Sequence, residues 1–390
     1  MDKKTCVKPK VTLELIASLV QKRYGLQALS VTPLVGFTDL NFKVTVIRDQ
    51  INNQSDNVEK HCTGYVLKIV GSESLADVDY LEAQCQLIMH LKKSGIPTTG
   101  VILNLENQLF SIENLPTENG LYQKFILRLL EYISGSTVLD AGNPLYLLPE
   151  IGKLTGKVDN SLKNFYHPAL ETIYEWQLTS VTSLRSLFSS LSADQQELGR
   201  TVIQAYEERV LPILVTLQRG TCHGDINNCN IIVNSGTADD SYKIAGARNN
   251  TDLKIVAVID FGDSCVGYYV YEIATAVADL MTSCKGQYDP LEVTRLIIHG
   301  YLSEFKLHEQ ELRILKLVIC VRLLQTYVLS TDMMTRDPDN KYIALELEDA
   351  METLMFLWNL PDETFQRSVF VEYDDPHVYF QSKKSNSETV

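Results

Sequence analysis

The sequence predicts an α+β chain in two parts, a β-rich segment of roughly 130 residues followed by a larger, mainly helical one. Three observations carry this expectation. Between residues 31 and 70 the apolar residues fall in β-branched, partly alternating runs, LNFKVTVIR and YVLKIV, with the period of two that belongs to strands. From about residue 144 onward the apolar spacing becomes helical. A length of 390 residues also exceeds what one small core organises.

Residues 1–30 open with a helix over 11–23, marked by Val11, Leu13, Leu15, Ile16, Leu19 and Val20. Residues 31–133 form the β-rich lobe, an antiparallel sheet whose first hairpin carries the long polar loop DQINNQSDNVEKHCT. Its one main helix is ADVDYLEAQCQLIMHLKKSG (76–95), apolar at 78, 81, 85, 88 and 91, with Asp77 or Asp79 near its start and Gly95 and Pro97 at its stop. Short strands are expected around 100–112 and 123–133. Residues 134–373 form the helical lobe, with helices at 145–163, 194–218, 270–285, 289–305, 308–330 and 340–358. Two β-like fragments, 231–234 and 254–260, interrupt them and flank a polar insertion at 235–253. The tail 374–390 reads as mobile.

Composition narrows the function. A formal charge of −14 and the lack of a Lys/Arg-rich stripe argue against nucleic acid as a partner. The same negative field repels free nucleotides, so a phosphate site here must carry its own positive charge. Eight cysteines without a CxxC pair, and an N-terminus MDKKTCVKPK lacking an apolar core, point to reduced thiols in the cytoplasm. The most apolar stretch, LKLVICVRLLQTYVLS, contains Lys316 and Arg322. It reads as a buried helix with no membrane role.

The chemistry concentrates in CHGDINNCN (222–230) and VAVIDFGDS (256–264). A single Asp at a strand end is ordinarily a turn-former or cap, and a lone His is ordinarily structural. The joint pattern asks for more: an Asp beside His and Gly, an Asn five residues on, and an apolar strand running into DFGD. Phosphoryl transfer from a nucleotide needs such a set. Asp225 orients the attacking hydroxyl, while Asn230 and Asp260 supply oxygen ligands to Mg²⁺. Bound Mg²⁺ also reverses the local negative field.

The first part offers the complementary groups. Lys68 in YVLKIV suits the α/β-phosphates, and Glu82 on the following helix would fix it, with Glu73 as an alternative. PLVGFTDLNFKV has one glycine, Gly36, so a phosphate-covering loop would rest on backbone amides of 36–39 and the side chain of Thr38 or Asn41. A plain hairpin turn explains the same residues.

Taken together these motifs resemble the aminoglycoside phosphotransferase and choline kinase family of small-molecule kinases. The resemblance runs from about residue 31 to 330 and implies a bilobal protein-kinase-like fold with the site between the lobes. It implies that Asp225 is catalytic with His223 supporting its loop, that Asn230 and Asp260 hold Mg²⁺, and that Lys68 meets phosphate. It places Asp263 near the metal and the base against the backbone of 131–133, with Glu131 and Ile133 as contacts. The donor implied is GTP or ATP, and the acceptor a small amino alcohol or amino acid. Rival readings are a catalytically silent nucleotide-binding protein and a protein kinase; the latter lacks its GxGxxG and APE sequences here. Cys222, Cys229 and Cys265 read as free thiols, since their spacing makes no zinc knuckle. Trp176, Tyr268, Tyr269 and Tyr271 read as core, with a cation–π role open to them. Arg322 could meet a substrate carboxylate or an interior acid.

Overall fold

In a computed structural model of the chain the described residues are 8–34, 36, 39–47, 62–70, 78–235, 253–336 and 341–370. The expectations for Thr38, Glu73, Asp77, residues 236–252 of the insertion and the tail 374–390 lie outside them. The chain divides into two units, 1–135 with 256–259, and 136–255 with 260–390.

The first unit opens with α1 (Leu13–Tyr24), whose N-cap Thr12 accepts the Leu15 N–H at 3.3 Å and whose C-cap Gly25 sits at φ 68°. Strands β1 (Ala28–Leu34), β2 (Leu40–Ile47) and β3 (Cys62–Val70) form a meander. After α2 (Val78–Lys93) come β4 (Val101–Ile102), β5 (Ser111–Pro116) and β6 (Tyr122–Glu131). All the pairs are antiparallel, and β6 lies between β3 and β4 while also pairing with β5. Alternation puts Phe42, Val44 and Val46 of β2 and Leu67 and Ile69 of β3 on one face, where they bury Ile16, Leu19 and Val20 of α1. The opening helix is thereby part of this core.

The second unit contains a short β7 (Ser136–Thr137), α3 (Leu148–Leu162) and α4 (Ala193–Arg209). The helix expected over 194–218 stops at Arg209 and resumes as a 3₁₀ turn, Leu211–Thr216. Pro212 supplies the reason, because it has no N–H to continue the α-helical ladder. A second departure is the 3₁₀ stretch Leu178–Ser190, absent from the expected helices. Its buried Leu178, Val181 and Leu184 recur every third residue, the period of a 3₁₀ helix. The hydroxyls of Ser183, Ser186 and Ser190 donate to the carbonyls three residues earlier at 2.7, 2.8 and 2.9 Å.

Strands β8 (Arg219–Cys222), β9 (Ile231–Asn234), β10 (Lys254–Val258) and β11 (Cys265–Tyr268) follow, then helices α5 (Tyr269–Ser283), α6 (Pro290–Leu302), α7 (Glu309–Arg336), α8 (Lys341–Asn359) and α9 (Asp362–Phe370). In the first unit Val258 donates its N–H to the Pro97 carbonyl and accepts from Thr98 Oγ1, both at 2.9 Å. α5 is almost wholly buried, from Tyr269 to Thr282, and so is the middle of α7 from Leu315 to Leu324. The latter is the apolar stretch that carries Lys316 and Arg322.

α3 and α6 approach through glycine. A Cβ on Gly152 would overlap the Ile297 carbonyl oxygen and stand 2.8 Å from Tyr301 N, and one on Gly300 would overlap the carbonyl oxygen of Pro149. Only a bare Cα allows this approach. Gly152→Ala or Gly300→Ala should therefore lower the thermal unfolding midpoint by several degrees, the overpacking costing about 1–3 kcal/mol against a helix-propensity gain of about 1 kcal/mol. A midpoint equal to or above the parent's in both variants would contradict the close crossing.

Candidate active site

Two motifs far apart in sequence meet through one ribbon. β8 and β11 pair antiparallel with Cys222 opposite Cys265, so residues 223–230 leave the same end at which residues 260–264 arrive. Gly224 has φ +89°, and a Cβ there would overlap the carbonyl oxygen of Asp263. Glycine is required on both counts. The same carbonyl accepts the Tyr174 hydroxyl at 2.5 Å, and the Gly224 N–H donates to Glu272 Oε2 at 2.9 Å.

His223 is fully buried. Its Nδ1 accepts the Asp225 N–H at 3.3 Å, and its ring packs on Phe261 with centroids 4.6 Å apart. In this structure it supports the turn from behind. Phe261 points inward while Asp260 beside it is exposed, and Asp260 has φ +62°. That left-handed backbone costs on the order of 1 kcal/mol for most residues and less for Asp or Asn.

The Asp225 carboxylate is held from several sides. Oδ2 accepts from Asn227 Nδ2 at 3.0 Å and from Asn230 Nδ2 at 2.9 Å, and Oδ1 lies 3.4 Å from the Arg322 guanidinium. The side chain retains 25% exposure, so it can still reach a ligand. Arg322 is 5% exposed, lies 3.4 Å from Asp279 as well, and stacks 5.4 Å above the Trp176 ring. Burial opposes its charge, but Asp279, Asp225 and Asp263 outweigh burial and raise its pKa. Of the two roles open to Arg322, the structure shows the interior ion pair.

Asn230 donates both to the Asp225 carboxylate and to the Asp225 carbonyl, each at 2.9 Å. This commits its amide nitrogen and leaves its oxygen as the group for a cation. Asn227 Oδ1 accepts the N–H groups of Cys229 and Asn230 at 2.8 and 3.1 Å, closing the loop from within. With Asp260 the donors are all oxygen, a set that fits Mg²⁺ rather than a softer metal.

In the first unit Lys68 is buried, with Asp39 Oδ2 3.8 Å from its ammonium and Asn41 opposite it in the sheet. A Cβ on Gly36 would stand 2.5 Å from the Asp39 carbonyl oxygen and overlap Asn41 Nδ2. The single glycine is thus sterically needed beside the Lys68 group. Glu82 does not join it among the described contacts; it accepts from Gln86 Nε2 at 2.9 Å, one turn along α2. Glu131 also differs from expectation. Its N–H donates to the Gly100 carbonyl at 2.8 Å, its carbonyl accepts from Thr99 Oγ1 at 2.7 Å, and its carboxylate pairs with Lys92. Tyr132 donates its N–H to the Gly64 carbonyl at 3.0 Å. Sheet pairing therefore consumes two of the three amides, leaving Ile133 as the N–H donor of the segment.

Cys222 and Cys265 are buried thiols and Cys229 is half-buried. Tyr271 bonds Tyr206 hydroxyl to hydroxyl at 2.9 Å, and Tyr269 packs on Phe305, both in the core. A small cavity of about 40 Å³ lies beside Gly224, bounded by Tyr174, Trp176, Tyr268, Tyr271 and Glu272. Among the described residues, no helix is long and apolar enough to cross a membrane. The positioning roles of Asn227 and Glu272 escaped sequence reasoning. Asn227 had a local signal, since Asx side chains bond backbone two residues on, whereas Glu272 is linked only through tertiary structure.

The chain belongs to the phosphotransferase enzyme family, which it matches over residues 43–293. It is a phosphotransferase acting on a hydroxyl group, with the β-sheet N-terminal and helical C-terminal regions of the protein-kinase-like fold. It is similar to the hydroxylysine kinase of Mus musculus, 27% identical over 387 residues, covering 97% of this chain and 95% of that one. Among solved structures it resembles an amicoumacin kinase in complex with AMP-PNP and Ca²⁺, at TM-score 0.63 and 17% identity, covering 90% of this chain and 96% of that one. It also resembles a microcompartment-associated aminopropanol kinase, at TM-score 0.64 and 14% identity, covering 88% and 96%.

Arg322→Met should leave Asp225 and Asp279 facing each other without a cation. We expect a stability loss of about 2–4 kcal/mol, below the fully buried case because both carboxylates keep some solvent. Denaturant unfolding measures it, and a loss under about 0.5 kcal/mol would remove the pairing from its structural role.

Proposed function

We propose that the chain transfers the γ-phosphate of GTP or ATP to the 5-hydroxyl of 5-hydroxy-L-lysine, a step of lysine breakdown, in the cytoplasm. The observation that carries the reaction is the Asp225 carboxylate, fixed by Asn227, Asn230 and Arg322 yet partly exposed. The similarity to hydroxylysine kinase over nearly the whole of both chains supports the acceptor.

Asp225 accepts the hydroxyl proton as the oxygen attacks phosphorus. His223 and Asn227 keep the carboxylate in place. Asn230 Oδ1 and Asp260 hold Mg²⁺, which when bound neutralises charge on the phosphates. Lys68 takes the α/β-phosphates. Ile133 donates its N–H to the base.

A second acceptor class, amino alcohols such as ethanolamine, choline or aminopropanol, is suggested by the aminopropanol kinase whose fold the chain shares. Homoserine and methylthioribose complete the comparison. A panel of these acceptors with GTP and ATP, coupled to nucleoside diphosphate release, decides between them: hydroxylysine should show the highest kcat/KM, and turnover of choline without turnover of hydroxylysine would replace the acceptor.

Asp225→Asn should retain Mg²⁺-nucleotide binding and lose about 10²–10⁴-fold in kcat, the range of a general base. Unchanged turnover would take Asp225 out of the reaction, and a protein silent in the parent form as well would favour a nucleotide-binding role.

A further inference from the structure

Behind the Gly224 turn lies a buried cluster that phosphoryl transfer does not use. Asp159 of α3, Cys222 of β8 and Glu272 of α5 are all buried, and one ligand atom from each lies within 4.8 Å of the others. Each acid has one oxygen in use. Asp159 Oδ2 accepts the Tyr301 hydroxyl at 2.6 Å, and Glu272 Oε2 accepts the Gly224 N–H at 2.9 Å. Each also has one buried oxygen, Asp159 Oδ1 and Glu272 Oε1, without a hydrogen-bond partner.

Two buried carboxylates this close cannot both stay ionised. A buried oxygen without a donor is itself destabilising. One proton on the pair removes the like-charge repulsion, and on Asp159 Oδ1 it turns an orphan acceptor into a donor within the cluster.

We propose that Asp159 and Glu272 share one proton, Asp159 donating as a neutral acid to an ionised Glu272, and that this pair holds Gly224 and so positions Asp225. The assignment follows from the surroundings. Glu272 has the Gly224 N–H, the Cys222 thiol and the Arg322 charge, all three favouring its ionised form; Asp159 has the Tyr301 hydroxyl and the pull of Lys163. Cys222, Cys265, Asp225 and Tyr269 also face the pair, and none adds positive charge. Burial raises both acids, Asp159 well above the usual carboxylate range and Glu272 to about 7. A metal is the other occupant such a cluster could take. Against it, burial and both carboxylates push the Cys222 thiol far up, which disfavours the thiolate a soft metal needs.

The sign of the pH effect is fixed by these directions. The unfolded acids lose their protons near pH 4, and the folded pair keeps one well above that. The folded state therefore binds more protons, and this contribution to stability is largest below about pH 4 and declines as pH rises from there toward the raised folded value of Asp159, the acid that holds the proton.

The proposal concerns a positioning device and rests on the kinase reading for its effect on turnover, so its test begins without substrate. Infrared spectra of the full chain at pH 7 should contain a protonated-carboxyl band that Asp159→Asn removes; a parent without the band overturns the sharing. Thermal unfolding between pH 5 and 8.5 should show Asp159→Asn gaining on the parent as pH rises, because the amide still donates to Glu272 and cannot ionise. Glu272→Gln serves as a second variant with the same expected trend. Parallel curves for the parent and the variants overturn the proposal, as does one tightly held divalent metal per chain that Cys222→Ala releases. Asp159→Leu should lower kcat about tenfold, the equivalent of one buried hydrogen bond, with the nucleotide KM little changed and kcat partly restored by Asp159→Asn. Failure of every acceptor in the panel would sink the kinase reading and leave the infrared and unfolding results to decide this one.

Discussion

The register that sets Cys222 opposite Cys265 is the constraint on which the site depends. A slip by one residue would turn every side chain of the ribbon to its other face. It would also move the Gly224 turn off the Asp263 carbonyl, where no other residue fits. The register has its own locks: Tyr174 on that carbonyl, Glu272 on the Gly224 amide, and His223 against Phe261. Asp225 and Asp260 gain their positions from this frame, and neither sits on a regular element of its own.

Electrostatics explain why an acidic chain can assemble such a site. Asp225, Asp263 and Asp279 would repel one another and any phosphate. Arg322, buried among them, offsets part of that repulsion and is oriented by the Trp176 ring. Its cation is largely spent inside the protein, so it offers little to a ligand. The donors left for a metal are oxygens; in the first unit the Lys68 ammonium is buried with Asp39 Oδ2 3.8 Å from it.

Much of this was legible in the residues because the signals are local. Period-two runs marked β2 and β3, the capped apolar run marked α2, and the spacing within HGDINNCN and IDFGD marked the loop residues by chemistry alone. What was not legible depends on tertiary contacts. Glu82 looked suited to Lys68 by order along the chain, yet its partner is Gln86 one turn away. The backbone of Glu131 looked open, but Thr99 and Gly100 occupy it. Arg322 showed a charge within an apolar helix, and only the fold could say which acids it meets. The 3₁₀ stretch at 178–190 had a visible period of three, easily mistaken for an imperfect helical one.

Of the amides of residues 131–133, those of Glu131 and Tyr132 donate to Gly100 and Gly64, and that of Ile133, with carbonyls on either side of it, takes no part in this pairing. Adenine presents a ring acceptor next to an amino donor, and guanine a carbonyl acceptor next to a ring N–H. A lone N–H flanked by acceptors satisfies both edges after a small sideways shift of the base. Backbone of this kind does not discriminate strongly between the purines, so on the proposed reading a preference for one nucleoside triphosphate has to arise from side chains around the ring or from the relative supply of the two nucleotides.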